Sequence, residues 1–302
     1  MYSFKFAGSL PGFSGVQRMD GSNRLDAPAG RAPSSASIKR GNEAKRAASC
    51  GVAIMAKAST PGRTKTRLVP PLTFDQAAEL NTAFLRDAAA NVLLASRHAS
   101  IAGYVAFAPP GSEEFFRNAL PPAIGLIEAG LPNLGACLVH TIEELFARGH
   151  ACAVVLNSDT PTLPTALLIE TAEVLERSGE RAVFGPASDG GYYLLGLKSP
   201  HRRLFEEIAW STESVAATTL QRARELGLDV HTLPVWHDVD DIEDLRRLHG
   251  EVSGLQVAEG GRDLREPYFP AAAAALMRDF WADDESGDNH RTATLRAAAG
   301  SA

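Results

Sequence analysis

From Cys50 onward, short and almost wholly apolar runs alternate with longer amphipathic ones. The short runs at 50–56, 101–108, 123–128, 151–157, 182–185, 192–197 and 230–234 read as strands. Between them, 74–96, 134–147, 165–176, 214–226 and 242–249 carry apolar residues at three- and four-residue spacings, the period of a helix packed on one face. Thr73, with Gln76 three residues on, predicts a capping box at the start of the first helix, and Gly149 a stop at the end of the second. The run ACAVVLN at 151–157 has no polar face, as expected of a central parallel strand covered on both sides. Strands and helices in alternation predict a mainly parallel sheet wrapped by helices. Ligands of such sheets bind at the carboxyl ends of the strands.

The ends of the chain break this pattern. Residues 1–48 contain eight Lys or Arg against three Asp or Glu, are rich in Ser, Gly, Ala and Pro, and are too poor in large apolar groups to fold alone. They predict a disordered extension. After Gly250 the periodicity fades, so residues 251–302 read as a mostly disordered tail with a short helix over 270–281. Residues 49–250 remain as one nucleotide-binding domain. A net charge of -6 gives no general reason to expect a nucleic-acid partner. Cys50, Cys137 and Cys152 are an odd, scattered set, which argues against a disulfide framework or a structural zinc site and for reduced thiols in the cytoplasm. No run is long enough and apolar enough to span a bilayer, so no membrane partner is expected.

Four stretches carry the chemistry. The first, 57–68, places Lys57, Arg63, Lys65 and Arg67 around the turn at Pro61-Gly62. Glycine lets the backbone approach phosphate oxygens, while Lys supplies a point charge and Arg a bidentate fork. The spacing is not that of a Walker loop. A solvated basic turn is the bland alternative. In the second stretch Asp159 follows the most apolar strand and faces the ligand edge, placed to take a magnesium or manganese ion bridging phosphates. Thr165 looks the better cap for the next helix, which leaves that carboxylate to the site. The third, Asp189-Gly190-Gly191, reads as a tight turn admitting a ligand close to the backbone, or simply as a hairpin turn. Tyr192 and Tyr193 then fall on opposite faces, so only one points at the cleft. The fourth holds Asp238 and Asp240 on one face of an extended segment, where they repel unless a cation lies between them. The plainer alternative, compatible with the first, has Asp240 or Asp241 cap the helix from Ile242, with Glu243 and Asp244 favourable in its first turn. Trp210-Ser211-Thr212, ahead of a further helix, is a candidate acceptor contact or a simple cap.

Taken together, Lys57, Pro61-Gly62, Lys65-Thr66-Arg67-Leu68, Ser158-Asp159-Thr160-Pro161, the run Gly185 to Leu197, Trp210-Ser211-Thr212 and Asp238-Val239-Asp240 resemble one family. It is the bacterial DUF2064 family, often labelled radical-SAM/selenodomain-associated transferases, a branch of the glycosyltransferase-A-like (GT-A-like) nucleotide-diphospho-sugar transferases. The likeness covers roughly 50–249. It implies a three-layer α/β/α sandwich of Rossmann-like kind with a mostly parallel sheet. It also implies phosphate contacts from Lys57, Gly62, Lys65 and Arg67, a metal held by Asp159, and a second acidic station at Asp238 or Asp240. Where relatives carry a polar, charged stretch, this chain has Leu131-Pro132-Asn133-Leu134-Gly135-Ala136-Cys137.

The expected function is therefore a Mg2+- or Mn2+-dependent transferase acting on an activated nucleotide. Lys65, Arg67 and Asp159 are its catalytic candidates. Lys57, Gly62, Arg63, Lys65, Arg67, Asp189, Gly190 and Gly191 are expected to bind the nucleotide, and Tyr192, Trp210, Ser211 and Thr212 a small-molecule acceptor. Four cations in the first loop point toward nucleotidyl transfer from a nucleoside triphosphate to a phosphorylated or acidic acceptor, since a triphosphate carries the most charge to neutralise. Glycosyl transfer from a nucleotide sugar, and nucleotide binding without catalysis, are the alternatives.

Overall fold

Seven strands form one sheet in the computed structural model, which describes residues 49–254 and 263–280. They are β1 (Cys50–Lys57), β2 (Ile101–Ala108), β3 (Gly125–Glu128), β4 (Cys152–Asn157), β5 (Arg181–Pro186), β6 (Tyr192–Leu197) and β7 (Asp229–Thr232). Their order is β3-β2-β1-β4-β6-β5-β7. All neighbours run parallel except β6, which is antiparallel to both β4 and β5. The helices are α1 (Phe74–Ala95), α2 (Glu113–Ala119), α3 (Leu134–Ala147), α4 (Thr165–Glu176), α5 (Val215–Glu225), α6 (Ile242–Gly254) and α7 (residues 271–280).

Side-chain alternation along the strands divides the core. Val52 and Ile54 of β1 face one layer with Val92 of α1, Phe116 of α2 and Leu168 of α4. Ala53 and Met55 face the other, with Ile142 and Leu145 of α3 and Val215 of α5. This is the expected three-layer α/β/α sandwich with a mostly parallel sheet. Tyr193 packs in the first layer and Tyr192 in the second, as their opposite faces require. Gly185 lies under the Tyr193 ring, where a β-carbon would meet ring atoms at 2.5 Å. The chain runs β1, β2, β3 toward one edge and returns to place β4 on the other side of β1, so the winding reverses between β1 and β4.

Local signals explain most boundaries. Thr73 and Gln76 form the reciprocal capping box, with Gln76 N–H donating to Thr73 Oγ1 at 3.2 Å and Thr73 N–H to Gln76 Oε1 at 2.8 Å. At α4 the structure corrects the expectation. Pro164 is the N-cap, and the Thr165 hydroxyl donates instead to Asn91 Oδ1 at 2.6 Å. Helix α2 has no counterpart among the expected elements.

The domain does not close at residue 250. A third apolar cluster joins Leu68, Phe84 of α1, Val239, Leu245 and Leu248 of α6, and Ala273 and Met277 of α7. Leu264 and Thr162 carbonyls accept from Ala166 and Tyr268 N–H groups, tying residues 263–268 to the loop around α4. Asp87, buried on α1, caps α7 from outside its own chain segment, accepting from Ala272 N–H at 2.9 Å and Ala273 N–H at 2.8 Å. Residues 263–280 are thus part of the folded unit, whereas the expected extension at 1–48 and the remaining tail lie outside the described residues.

Burial pushes the Asp87 carboxyl up to about 6, against the opposing pull of its two amide donors and Arg86. A carboxyl raised in the folded state binds more protons there than in the unfolded chain. Stability should therefore fall as pH rises from about 4 to about 6 and then level off, by at most ~3 kcal/mol for this residue at about 1.4 kcal/mol per pKa unit. In urea denaturation across that range, Asp87→Asn should flatten part of the fall.

Candidate active site

The winding reversal places a cavity of ≈ 360 Å³ over the carboxyl ends of β1 and β4. Met55, Ala56 and Lys57 of β1 and Asn157 of β4 form its floor, and the turn before β6 forms one wall. Ser188, Asp189, Gly191 and Tyr192 come from that turn, and Trp210, Ser211, Thr212 and Glu213 from the segment before α5. Arg67, Asp238, Asp240, Asp241 and Asp244 complete the opposite side. Leu134 and Leu138 of α3 line it where relatives were expected to place charge.

The acidic station is built by one backbone contact and one helix cap. Val239 N–H donates to the Asp159 carbonyl at 3.0 Å, which ties the segment ahead of α6 to the end of β4. The Val239 side chain enters the core, so Asp238 and Asp240 on either side of it project together toward the sheet edge. Asp241, not Asp240, caps α6, accepting from Glu243 N–H at 2.9 Å and Asp244 N–H at 3.1 Å. The Asp244 carboxylate accepts in return from Asp240 and Asp241 N–H groups. Asp240 is left to turn inward, and Asp159, Asp238 and Asp240 each bring a carboxylate oxygen within 4.8 Å of the others.

Repulsion and burial are visible in this cluster. Burial, then the neighbouring Asp159 and Asp189 carboxylates, push the Asp238 carboxyl up to about 6. Asp159 is fully buried, and its Oδ1 has no hydrogen-bond partner among the described residues. Its Oδ2 accepts from Lys65 Nζ at 2.9 Å, and the same ammonium donates to Asp240 Oδ1 at 2.8 Å and to the Val239 carbonyl at 2.7 Å. Three hard oxygen donors with one buried oxygen left over are a donor set suited to Mg2+ or Mn2+.

The first loop is anchored by Leu68, fully buried in the third cluster. Its cations separate. Lys57 and Arg67 line the cavity, Lys65 turns under it into the acids, and Arg63 and Gly62 are exposed on the loop outside the lining. Burial pulls the Lys57 ammonium below the usual lysine range, with the Cys137 thiol opposing.

The third stretch is both a hairpin turn and a cavity wall. β5 and β6 pair antiparallel across it, and Asp189 Oδ1 accepts from Gly191 N–H at 2.9 Å. Gly190 sits just behind the wall at φ 88, where a β-carbon would lie 2.4 Å from the Glu213 carbonyl oxygen. Its carbonyl accepts from Ala216 N–H at 2.9 Å, fastening the hairpin to α5. The candidate acceptor residues Tyr192, Trp210, Ser211 and Thr212 all reach the cavity. Sequence reasoning did not single out Glu213, and it read Asp241 and Asp244 as helix-start residues rather than as part of the cavity lining.

Residues 92–212 match the model of a family described as an uncharacterized protein conserved in bacteria, DUF2064. The structure of this chain is similar to the crystal structure of a proposed nucleotide-diphospho-sugar transferase from Desulfovibrio desulfuricans G20, with a TM-score of 0.64 and 27% identity over 77% of this chain and 95% of that one. Weaker likenesses include a cytidylyltransferase from Leptospira borgpetersenii, with a TM-score of 0.46 and 12% identity over 78% of this chain and 95% of that one. Another is the manganese complex of Rv0371C from Mycobacterium tuberculosis H37Rv, with a TM-score of 0.38 and 17% identity over 66% of this chain and 96% of that one. No curated protein matches the chain in sequence.

Two outcomes follow from this site. A cation held by the cluster would compete with protonation of Asp238, so Mn2+ affinity measured by calorimetry should weaken as pH falls through about 6, and Asp238→Asn should remove that step and hold affinity near its low-pH level. Gly190→Ala forces a side chain into the left-handed region against the Glu213 backbone. It should cost about 1–2 kcal/mol or more in urea denaturation.

Proposed function

We propose that this protein is a divalent-metal-dependent transferase acting on an activated nucleotide, and that its donor is a nucleotide-diphospho-sugar. One observation carries the reading. Asp238 and Asp240 line the same cavity as Lys57 and Arg67, at the winding reversal of the sheet, and converge with the fully buried Asp159, outside the lining, whose Oδ1 is unsatisfied. The likeness to the Desulfovibrio protein, named for that kind of donor, supports the same class.

The balance of charge favours glycosyl over nucleotidyl transfer. Of the four loop cations, only Lys57 and Arg67 line the cavity, against the six acids Asp189, Glu213, Asp238, Asp240, Asp241 and Asp244. A cavity lined by more acids than bases suits a diphosphate better than the more heavily charged triphosphate. The wall of Ser188, Asp189, Tyr192, Trp210, Ser211, Thr212 and Glu213 holds two acids and no base. A neutral hydroxyl acceptor fits that wall better than a phosphorylated or acidic one, which it would repel.

In this reading Asp159, Asp238 and Asp240 would hold Mg2+ or Mn2+, and a bound ion would neutralise charge on the departing nucleoside diphosphate. Lys57 and Arg67 hold the phosphate oxygens. The Asp189-Gly190-Gly191 turn borders the donor, while Tyr192, Trp210, Ser211 and Thr212 orient the acceptor. The bond from the anomeric carbon to the diphosphate breaks with its electron pair going to the nucleoside diphosphate, the acceptor oxygen bonds to that carbon, and the hydroxyl proton passes to solvent. Three buried free thiols agree with a reducing cytoplasm, and no helix among the described residues is long and apolar enough to cross a membrane.

A thermal-shift panel of sugar nucleotides and nucleoside triphosphates, with and without Mn2+, tests the donor. Metal-dependent stabilisation by sugar nucleotides is expected, and stabilisation by triphosphates alone would move the assignment to nucleotidyl transfer. Asp159→Asn should abolish the metal-dependent shift while the chain stays folded by circular dichroism. Arg67→Ala should weaken the donor by roughly 1.5–3 kcal/mol, the value of one charge-assisted hydrogen bond.

A further inference from the structure

Lys65 belongs by sequence to the phosphate loop, yet its ammonium is directed away from the cavity into the acids. The side chain is 7% exposed and bridges Asp159 Oδ2 and Asp240 Oδ1 at 2.9 and 2.8 Å. With the Val239 carbonyl as third acceptor, each ammonium proton has its own oxygen. The residue holds a left-handed backbone, φ 48 and ψ 41, rarely adopted by a side-chain-bearing residue. The lysine still leaves one need unmet, because Asp159 Oδ1 on the same fully buried carboxylate has no donor among the described residues. A divalent ion, with more coordination positions and twice the charge, satisfies more of these oxygens than an ammonium can.

We infer that Lys65 is a tethered counter-ion to the acid cluster, and that a divalent ion entering the cluster expels it. This rests on the metal-dependent reading above. The cluster closes around one cation, and an ammonium and a divalent ion held by the same oxygens a few ångströms apart repel each other. Expelled, the ammonium remains on the loop that carries Arg67 to the cavity, so the phosphates of the donor become its next partner. Metal alone then binds against competition from the lysine, whereas metal and donor bind with mutual reinforcement, since each favours the expelled position. Lys65 is thus a positioning residue that couples metal loading to donor loading.

Two measurements without any nucleotide test this. Electron paramagnetic resonance of free Mn2+ gives the affinity of the wild-type chain and of Lys65→Met and Lys65→Gln. Both variants should bind Mn2+ at least roughly tenfold more tightly, the size of one charge-assisted hydrogen bond. Affinity equal to or weaker than wild type overturns the inference. The second measurement uses only the wild-type chain and stands even if the variants fold poorly. Acylation of Lys65 by an N-hydroxysuccinimide ester, mapped by mass spectrometry, should be slow without metal and several-fold faster at saturating Mn2+, and an unchanged rate overturns the inference. A chain that passes both tests but binds no sugar nucleotide keeps this inference and loses the proposed donor. Glycosyl transfer without tighter Mn2+ binding by the variants does the reverse.

Discussion

The hydrogen bond from Val239 N–H to the Asp159 carbonyl is the contact on which the site depends. It joins the end of the most apolar strand to a segment about eighty residues later and fixes the phase of that segment, with Val239 inward and an aspartate on either side. Without it, three carboxylates would have no reason to converge. Convergence is costly, since burial and like charge together drive Asp238 up to about 6. The hydrophobic anchorage of Val239 among Leu68, Leu245 and Leu248 is what offsets that cost. Core packing and site chemistry are therefore coupled through one tripeptide.

The same cluster anchors the first loop. Leu68 buries beside Val239 while Lys65 bonds to the Val239 carbonyl, so the loop is held by an apolar contact and a polar one only three residues apart. This arrangement presents Arg67 to the cavity and leaves Arg63 in solvent. A basic loop whose composition suggests a uniform phosphate cradle is in fact sorted by its anchors into cavity, cluster and surface positions.

Much of this was legible in the sequence because local physics decided it. The ACAVVLN run, the Thr73–Gln76 capping box and the shared face of Asp238 and Asp240 depend on spacing within a few residues, and the structure has all three. What the sequence concealed was decided across the fold. Asp87 capping a helix 185 residues away has no local signature, so the packing of α7 could not be read from periodicity. Thr165 looked like a cap because its hydroxyl partner, Asn91, lies on another helix. Lys65 looked like its basic neighbours until the cluster beneath it was assembled from two other parts of the chain. Helix α2 is only seven residues long, too short for a periodic signal, and is fixed by Phe116 in the core.

The single reversed strand has a consequence for how such a protein can diversify. Because β6 runs against its neighbours, the hairpin before it opens onto the same sheet edge as the ends of β1 and β4. One part of the cavity wall is thus a loop between two adjacent strands, while the carboxylates come from the end of β4 and the segment ahead of α6. Gly190 and its bond to Ala216 hold this hairpin against the segment ahead of α5, so the turn that borders the donor and the residues proposed for the acceptor move as one wall. The architecture lets evolution retune the exposed side chains of that wall without altering strand order or the layers beneath.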